Sequence, residues 1–149
     1  MPREALSLRN RALGLLARRE HSRTELQRKL VNHAEDQQEL SDLLDDLTRR
    51  GWLSDIRFAE ALVQSKQAKF GAARLVYELR ERGVDDGLIR EQVAQLKESE
   101  LERARQVWQA KFGARAEDAK ARAKQMRFLQ SRGFNLDVIG KVLRGIVED

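Results

Sequence analysis

The side chains that most often carry chemistry are few in this sequence and poorly spaced for it. There is no cysteine, which removes disulfides, thiolate nucleophiles and thiolate metal sites together. His21 and His33 fall beside a helix start and a helix end, and a metal would need both of them plus acids converging from separate helices. Asp45-Asp46 and Asp85-Asp86 are adjacent carboxylates, but neighbours on a helix point about 100° apart and do not share a proton. Asp85 or Asp86 fits better as a helix N-cap. Neither G-x-x-x-x-G-K-[ST] nor G-x-G-x-x-G occurs, so no phosphate-cradling loop is supported. The expectation is a non-enzyme with no catalytic residue, no metal and no cofactor.

Charge is the stronger signal. The formal net charge of +5 conceals three blocks of opposite sign. Residues 1–29 hold eight Arg or Lys against three Glu, residues 30–48 hold six acids and no base, and residues 101–134 hold nine bases against three acids. Arg18, Arg19 and Arg23 cluster at the first interhelical turn, and Lys120, Lys124 and Arg127 recur at i, i+4, i+7 opposite Met126 and Leu129. Three like charges along one helix face disfavour the helix by a few tenths of a kcal/mol per i,i+4 pair, roughly, so a polyanionic partner is the reason to hold them there. These six residues are the candidate partner- and DNA-binding set.

The elements that position them are helices. Pro2 is the only proline, and Ala, Leu, Glu, Arg, Lys and Gln dominate, which favours helix throughout. No stretch approaches the roughly 20 apolar residues of a membrane span, and "MPREALSLRNRA" has no apolar signal-peptide core. A soluble, cytoplasmic, all-α protein is expected. "SRTE" (22–25) has capping-box spacing, "DQQE" (36–39) repeats it loosely, and "SELE" (99–102) has it again. Leu40, Leu43, Leu44 and Leu47 follow at helical period. Gly51, Gly83 and Gly133 each follow an arginine where a helix should stop, and glycine there supplies the left-handed residue that ends it.

The chain also matches itself. At an offset of 50, Leu79 falls on Leu129, Gly83 on Gly133, Ile89 on Ile139 and Val93 on Leu143; at 49, Leu26 falls on Leu75, Leu30 on Leu79 and Leu44 on Val93. Apolar positions coincide while polar ones drift, which marks a reused packing unit. The chain therefore reads as three tandem three-helix repeats, 1–55, 56–100 and 101–149, stacked into an elongated, curved array. "AKFGA" recurs at 68–72 and 110–114, an offset of 42, which predicts that the second helix of the last repeat, near 115–132, is eight residues longer than its counterpart. Trp52, Phe58, Phe70, Trp108, Phe112 and Phe134 read as core and inter-repeat packing.

"LRERGVDDGLIREQV" (79–93) has the outline of a helix–turn–helix, but helix 86–97 carries no net charge and its counterpart in the first repeat is acidic. Phosphates disfavour both, so sequence-specific groove reading is not expected, whereas non-specific contact through the basic helices is.

Four segments, "ALGLLARREHSRTELQRKL" (12–30), "LDDLTRRGWLSDIRFAEALVQSK" (44–66), "ARLVYELRERGVDDGLI" (73–89) and "FLQSRGFNLDVIGKVL" (128–143), occur in an order and spacing that resembles the RecX family, bacterial regulators of the RecA recombinase. The resemblance spans essentially the whole chain and is loosest over 98–124. It implies tandem three-helix repeats that act by contact: binding of the RecA filament on single-stranded DNA, with restraint of its ATPase, strand-exchange and coprotease activities, in DNA repair, homologous recombination and the SOS response. It offers no catalytic residue to carry over; a monomer with weak direct DNA contact and no membrane contact is expected. The alternative is a helical-repeat module that binds nucleic acid non-specifically through its basic helices.

Overall fold

Each third of the chain closes its own apolar core. The structure, a computed structural model, describes residues 6–145, among which there are nine α-helices and no strand. The first core uses α1 (Leu8–Arg18), α2 (Arg23–Leu30) and α3 (Gln37–Arg49), with a 3₁₀ turn at Val31–His33. The second uses α4 (Asp55–Lys66), α5 (Ala72–Glu81) and α6 (Asp86–Ala94), and the third uses α7 (Glu100–Lys111), α8 (Ala119–Ser131) and α9 (Leu136–Leu143). Leu26, Leu30, Leu44 and Leu47 centre the first core, Leu75, Leu79 and Ile89 the second, and Leu129, Ile139 and Leu143 the third. Leu30, Leu79 and Leu129 hold corresponding places, exposed by 1%, 0% and 0%.

The helix starts follow the expected chemistry in most places. Ser22 and Glu25 form the complete capping box of α2: Glu25 N donates to Ser22 Oγ (3.0 Å), and Ser22 N donates to Glu25 Oε1 (3.3 Å). Asp36 caps α3 through Glu39 N (2.8 Å), and Asp85 caps α6 through Gly87 N (2.9 Å). Ser99 is different. It adopts helical angles and makes no cap; its hydroxyl donates to Leu96 O (3.2 Å) and accepts from Arg103 Nε (3.0 Å), because Arg103 is buried and needs acceptors.

Three further expectations are revised. α8 has 13 residues against 10 in α5, so it is longer by three rather than eight, and it begins at Ala119. The rest of the insertion lies in the linker 112–118. The two "AKFGA" copies also diverge: Gly71 is the N-cap of α5 with φ −83°, while Gly113 has φ +70°. Trp52 is 45% exposed under the Arg50 guanidinium (5.3 Å to the ring centroid), whereas Phe58 and Phe134 are buried as expected.

The Arg-Gly turns do two different jobs. Gly51, Gly83 and Gly133 all have positive φ (76°, 73° and 91°), as a helix-ending glycine should. A Cβ on Gly51 would meet nothing, so there the glycine only ends α3. Gly83 and Gly133 end the second helices of their units, and each receives the first turn of the preceding unit's second helix. A Cβ on Gly83 would strike Thr24, and one on Gly133 would strike Arg74.

The two joints use corresponding positions and share one kind of bond, an acid on a helix-start N–H. At the first, Arg23 N donates to Asp55 Oδ1 (2.8 Å) and Ser22 Oγ donates to Arg82 O (2.6 Å). At the second, Ala72 N donates to Glu100 Oε1 (2.7 Å), Gly71 N to Arg132 O (2.7 Å) and Ala73 N to Gly133 O (3.2 Å). An acid at the start of one unit thus satisfies an N–H that the preceding unit's helix leaves unpaired.

Candidate partner-binding surfaces

The basic stripe is carried on a helix that is fixed from behind. Asp118 caps α8 by accepting from Ala121 N (2.8 Å). On the inner face Leu129 is fully buried, and Gln125 accepts from Trp108 Nε1 (2.9 Å) and donates to Ala114 O (3.1 Å). Lys120, Lys124 and Arg127 stand on the outer face, exposed, and none has an ion partner among the described residues. One helix therefore presents three free cations in a row.

The N-terminal cluster is different. Arg18 is exposed without an ion partner among the described residues. Arg19 donates to both oxygens of buried Glu25 (3.0 and 2.6 Å), and Arg23 pairs with Asp45 (2.8 Å). A polyanion would have to displace carboxylates from two of the three arginines. Burial pushes the Glu25 carboxyl up, but the hydrogen bond and charge of Arg19 and the amide of Ser22 outweigh it, and its pKa lies below the usual carboxylate value.

His21 lies under this cluster, 1% exposed. Its Nδ1 is 3.0 Å from Arg19 O and must donate; its Nε2 is 3.1 Å from Lys29 Nζ and must accept. That arrangement suits only the neutral ring. Burial lowers the His21 pKa first of all, with Arg19 and Lys29 adding to the effect against the backbone hydrogen bond. His21 is therefore a structural side chain. Among the described residues, no group of three or more His, Asp or Glu is placed to hold a metal, and no helix is long and apolar enough to cross a membrane.

A further set of cations escaped the sequence reading. Arg132 lies over the rings of Phe70 (5.4 Å) and Phe128 (4.9 Å), Arg74 over Phe70 (5.3 Å) and Lys111 over Phe128 (5.5 Å), all at the joint between the second and third units. Their positions are spread over residues 70–132 and come together only through the joint. The one sequence signal was the recurrence of the Arg-Gly pair at 132–133.

The comparisons with known proteins agree with this architecture. Residues 54–91 match the family model described as RecX, second three-helix domain, and residues 98–143 match that described as RecX, third three-helix domain. The chain is 47% identical over 145 residues to a protein of Ralstonia nicotianae named regulatory protein RecX, covering 97% of this chain and 91% of that one. It is 46% identical over 149 residues to the protein of the same name from Chromobacterium violaceum, covering 100% of this chain and 97% of the relative. Among solved structures, RecX from Lactobacillus salivarius superposes with a TM-score of 0.78 at 18% identity, over 93% of this chain and 94% of that one, which shows the shared fold.

Proposed function

This chain belongs to the RecX family, and we propose that it is a non-enzymatic inhibitor of the RecA recombinase. It binds the RecA filament on single-stranded DNA and restrains ATP hydrolysis, strand exchange and coprotease activity, as a cytoplasmic monomer. The observation that carries this reading is the unpaired row Lys120, Lys124 and Arg127 on a helix braced by buried Leu129 and Gln125. Such a row is positioned for a polyanionic surface, and its rigid backing makes the contact specific in place. The same molecule presents an acidic helix: on α3, Glu39 and Asp42 have no ion partner among the described residues, while Asp45 is paired with Arg23 and Asp46 with Arg9, Arg49 and Arg50. A bare nucleic acid would repel that helix, whereas a protein-coated strand offers partners for both signs. That favours the filament over a free-standing nucleic-acid module.

The test is DNA-dependent ATP hydrolysis by RecA filaments titrated with wild type and with Lys120→Glu/Lys124→Glu/Arg127→Glu. The variant should inhibit about tenfold less well, equivalent to roughly 1.4 kcal/mol, with unchanged helicity by circular dichroism. If the folded variant inhibits as well as wild type, the stripe is ordinary solvated surface and Arg18, Arg19 and Arg23 become the next candidates.

A further inference from the structure

The first helices of the three units bury a matching alanine, Ala12, Ala59 and Ala104, each 0% exposed. That sets their register at offsets of 47 and 45, and in it each unit has one groove at the same place. Leu15, Leu62 and Val107 line the three, as do Gly14, Ala61 and Gln106, with His33, Arg82 and Arg132 at the end of the second helix. The inner two, about 450 and 370 Å³, are completed by the preceding unit, which adds Arg19 and Glu20 to one and Ala68 and Lys69 to the other. The outer one, about 410 Å³, is lined by the first unit alone. It is a joint surface that no unit covers among the described residues.

The three grooves differ in charge. At the first joint Lys66 pairs with Glu78 (2.6 Å), and Arg19 and Arg82 share Glu25 (2.6 and 3.9 Å). At the second, Lys69, Arg74, Lys111 and Arg132 have no acid partner among the described residues, and the last three lie on phenylalanine rings. The outer groove is lined by Arg11, Arg18 and Lys29 and by no acid, and none of these bases has an ion partner among the described residues. Arg18 stands where the other units have Ser65 and Ala110.

Between these bases the floor is apolar. Leu15 is half-buried, and Leu6 stands 60% exposed at the edge. Gly14 lies in the middle of α1, where glycine weakens a helix relative to alanine. A Cβ there would meet nothing within 4 Å. No contact inside the chain requires this glycine, and the space it leaves is room in the groove.

Two features select the occupant. At both inner joints the same surface is covered by protein, the segment that leads into a neighbouring unit's second helix. A second copy is disfavoured as the cover, because its third unit would bring Lys120 and Lys124, at the start of α8, onto Arg11 and Arg18. Like charges thus oppose a head-to-tail chain of copies. Three bases around leucines fit a helix with carboxylates flanking an apolar stripe.

We propose that the groove between α1 and the end of α2 docks an acidic amphipathic helix of a partner protein. Its carboxylates rest on Arg11, Arg18 and Lys29, and an apolar side chain sits over Gly14 against Leu15 and Leu6. This surface belongs to the first unit, apart from the stripe on α8, and its assignment does not depend on the recombinase reading.

The experiment is fluorescence anisotropy of the full chain with a labelled peptide of about four helical turns, carrying leucines at i, i+4 and i+7 and glutamates on either side. The same peptide with lysines for glutamates, and an oligothymidylate, are the comparisons. The glutamate peptide should bind at least about tenfold more tightly than the lysine peptide, and salt should weaken it. Gly14→Leu fills the groove with a better helix former, so it should keep or raise the urea midpoint yet weaken the glutamate peptide about tenfold. Arg11→Glu/Arg18→Glu should invert the preference between the two peptides. Lys120→Glu/Lys124→Glu/Arg127→Glu, on another unit, should bind the glutamate peptide within about twofold of wild type. Equal binding of the two peptides, wild-type affinity in Gly14→Leu, or as large a loss in the α8 variant as in Arg11→Glu/Arg18→Glu would overturn the proposal. So would an oligothymidylate whose affinity falls in Gly14→Leu while that of the peptide does not, since the groove would then belong to nucleic acid.

Discussion

The two joints of this molecule hold the same backbone positions together by different means. At the first, side chains do the work: Ser22 Oγ reaches Arg82 O, and Glu25 ties Arg19 and Arg82. At the second, the backbone comes closer, with Gly71 N on Arg132 O, and the neighbouring cations lie on phenylalanine rings instead of carboxylates. The shared part is what mechanics requires: an acid that satisfies the free N–H of a helix start, and a glycine turn that receives it. Charge around that device can then change sign without disturbing it. A repeat protein can in this way keep one joint neutral while the other stays basic.

The largest expected effect is at the helix the joints share. The first turn of α5 enters the second joint and its last turn receives the first, with Leu79 O accepting from Val84 N (3.1 Å) in the turn that follows. Leu79→Ala should lower unfolding free energy by about 4 kcal/mol, and Leu30→Ala and Leu129→Ala by less, about 2–3 kcal/mol each, although all three leucines are buried. Urea unfolding followed by circular dichroism measures this. Equal losses at the three sites would mean that the units do not depend on one another.

The joints themselves should respond unequally to substitution at the same position. A Cβ on Gly71 would strike the Gly133 carbonyl and Phe134 N, which are backbone atoms and cannot turn aside. Gly71→Ala should therefore cost about 3 kcal/mol. Ser22→Ala loses a cap and one bond to Arg82, about 1–2 kcal/mol. Urea midpoints for the two variants check the ranking, and Gly71→Ala as mild as Ser22→Ala would erase the distinction between a backbone joint and a side-chain joint.

Acid should weaken the first joint in two steps. His21 has a folded pKa below its ordinary value, so it favours the folded state at neutral pH and loses that contribution as pH falls from about 6.5 through the folded value. Glu25, also depressed when folded, keeps its contribution above about 4.3 and loses it as pH falls further. The melting temperature should drop between pH 7 and 5, and His21→Gln should remove that upper step. A flat wild-type profile over this range would contradict the neutral-ring arrangement.

Helix starts, turn glycines and the spacing of the buried leucines were legible in the sequence because each rests on a local rule. Ser22–Glu25, Asp85 and the Leu30, Leu79, Leu129 series are examples. Ser99 and the length of α8 were not legible. The Ser99 hydroxyl is recruited by Arg103, itself drawn inward by the carbonyls of Gln67 (2.8 Å) and Phe70 (2.7 Å) from the neighbouring unit. The inserted residues could extend a helix or a linker with equal pattern. The outer face of α8 was read directly from its period, since Lys120, Lys124 and Arg127 need only one helix to align. The groove at the second joint was hidden because Lys69, Lys111 and Arg132 meet only when units dock, and Phe70 and Phe128 look like ordinary core aromatics in isolation.

The central claim is that one joint is neutral and the other carries unneutralised charge, and amide hydrogen exchange in the free protein tests it most directly. Arg23 N and Ala72 N occupy corresponding positions, each donating across a joint to an acid (2.8 and 2.7 Å). Raising salt from about 0.05 to 0.5 M shortens the screening length from well above 10 Å to well below it. Repulsion among Lys69, Arg74, Lys111 and Arg132 should then weaken, so Ala72 should become better protected, by a few tenths of a kcal/mol, roughly. Arg23, beside ion pairs that salt screens, should stay the same or lose protection. Parallel responses at the two amides, or a loss of protection at Ala72, would contradict the account.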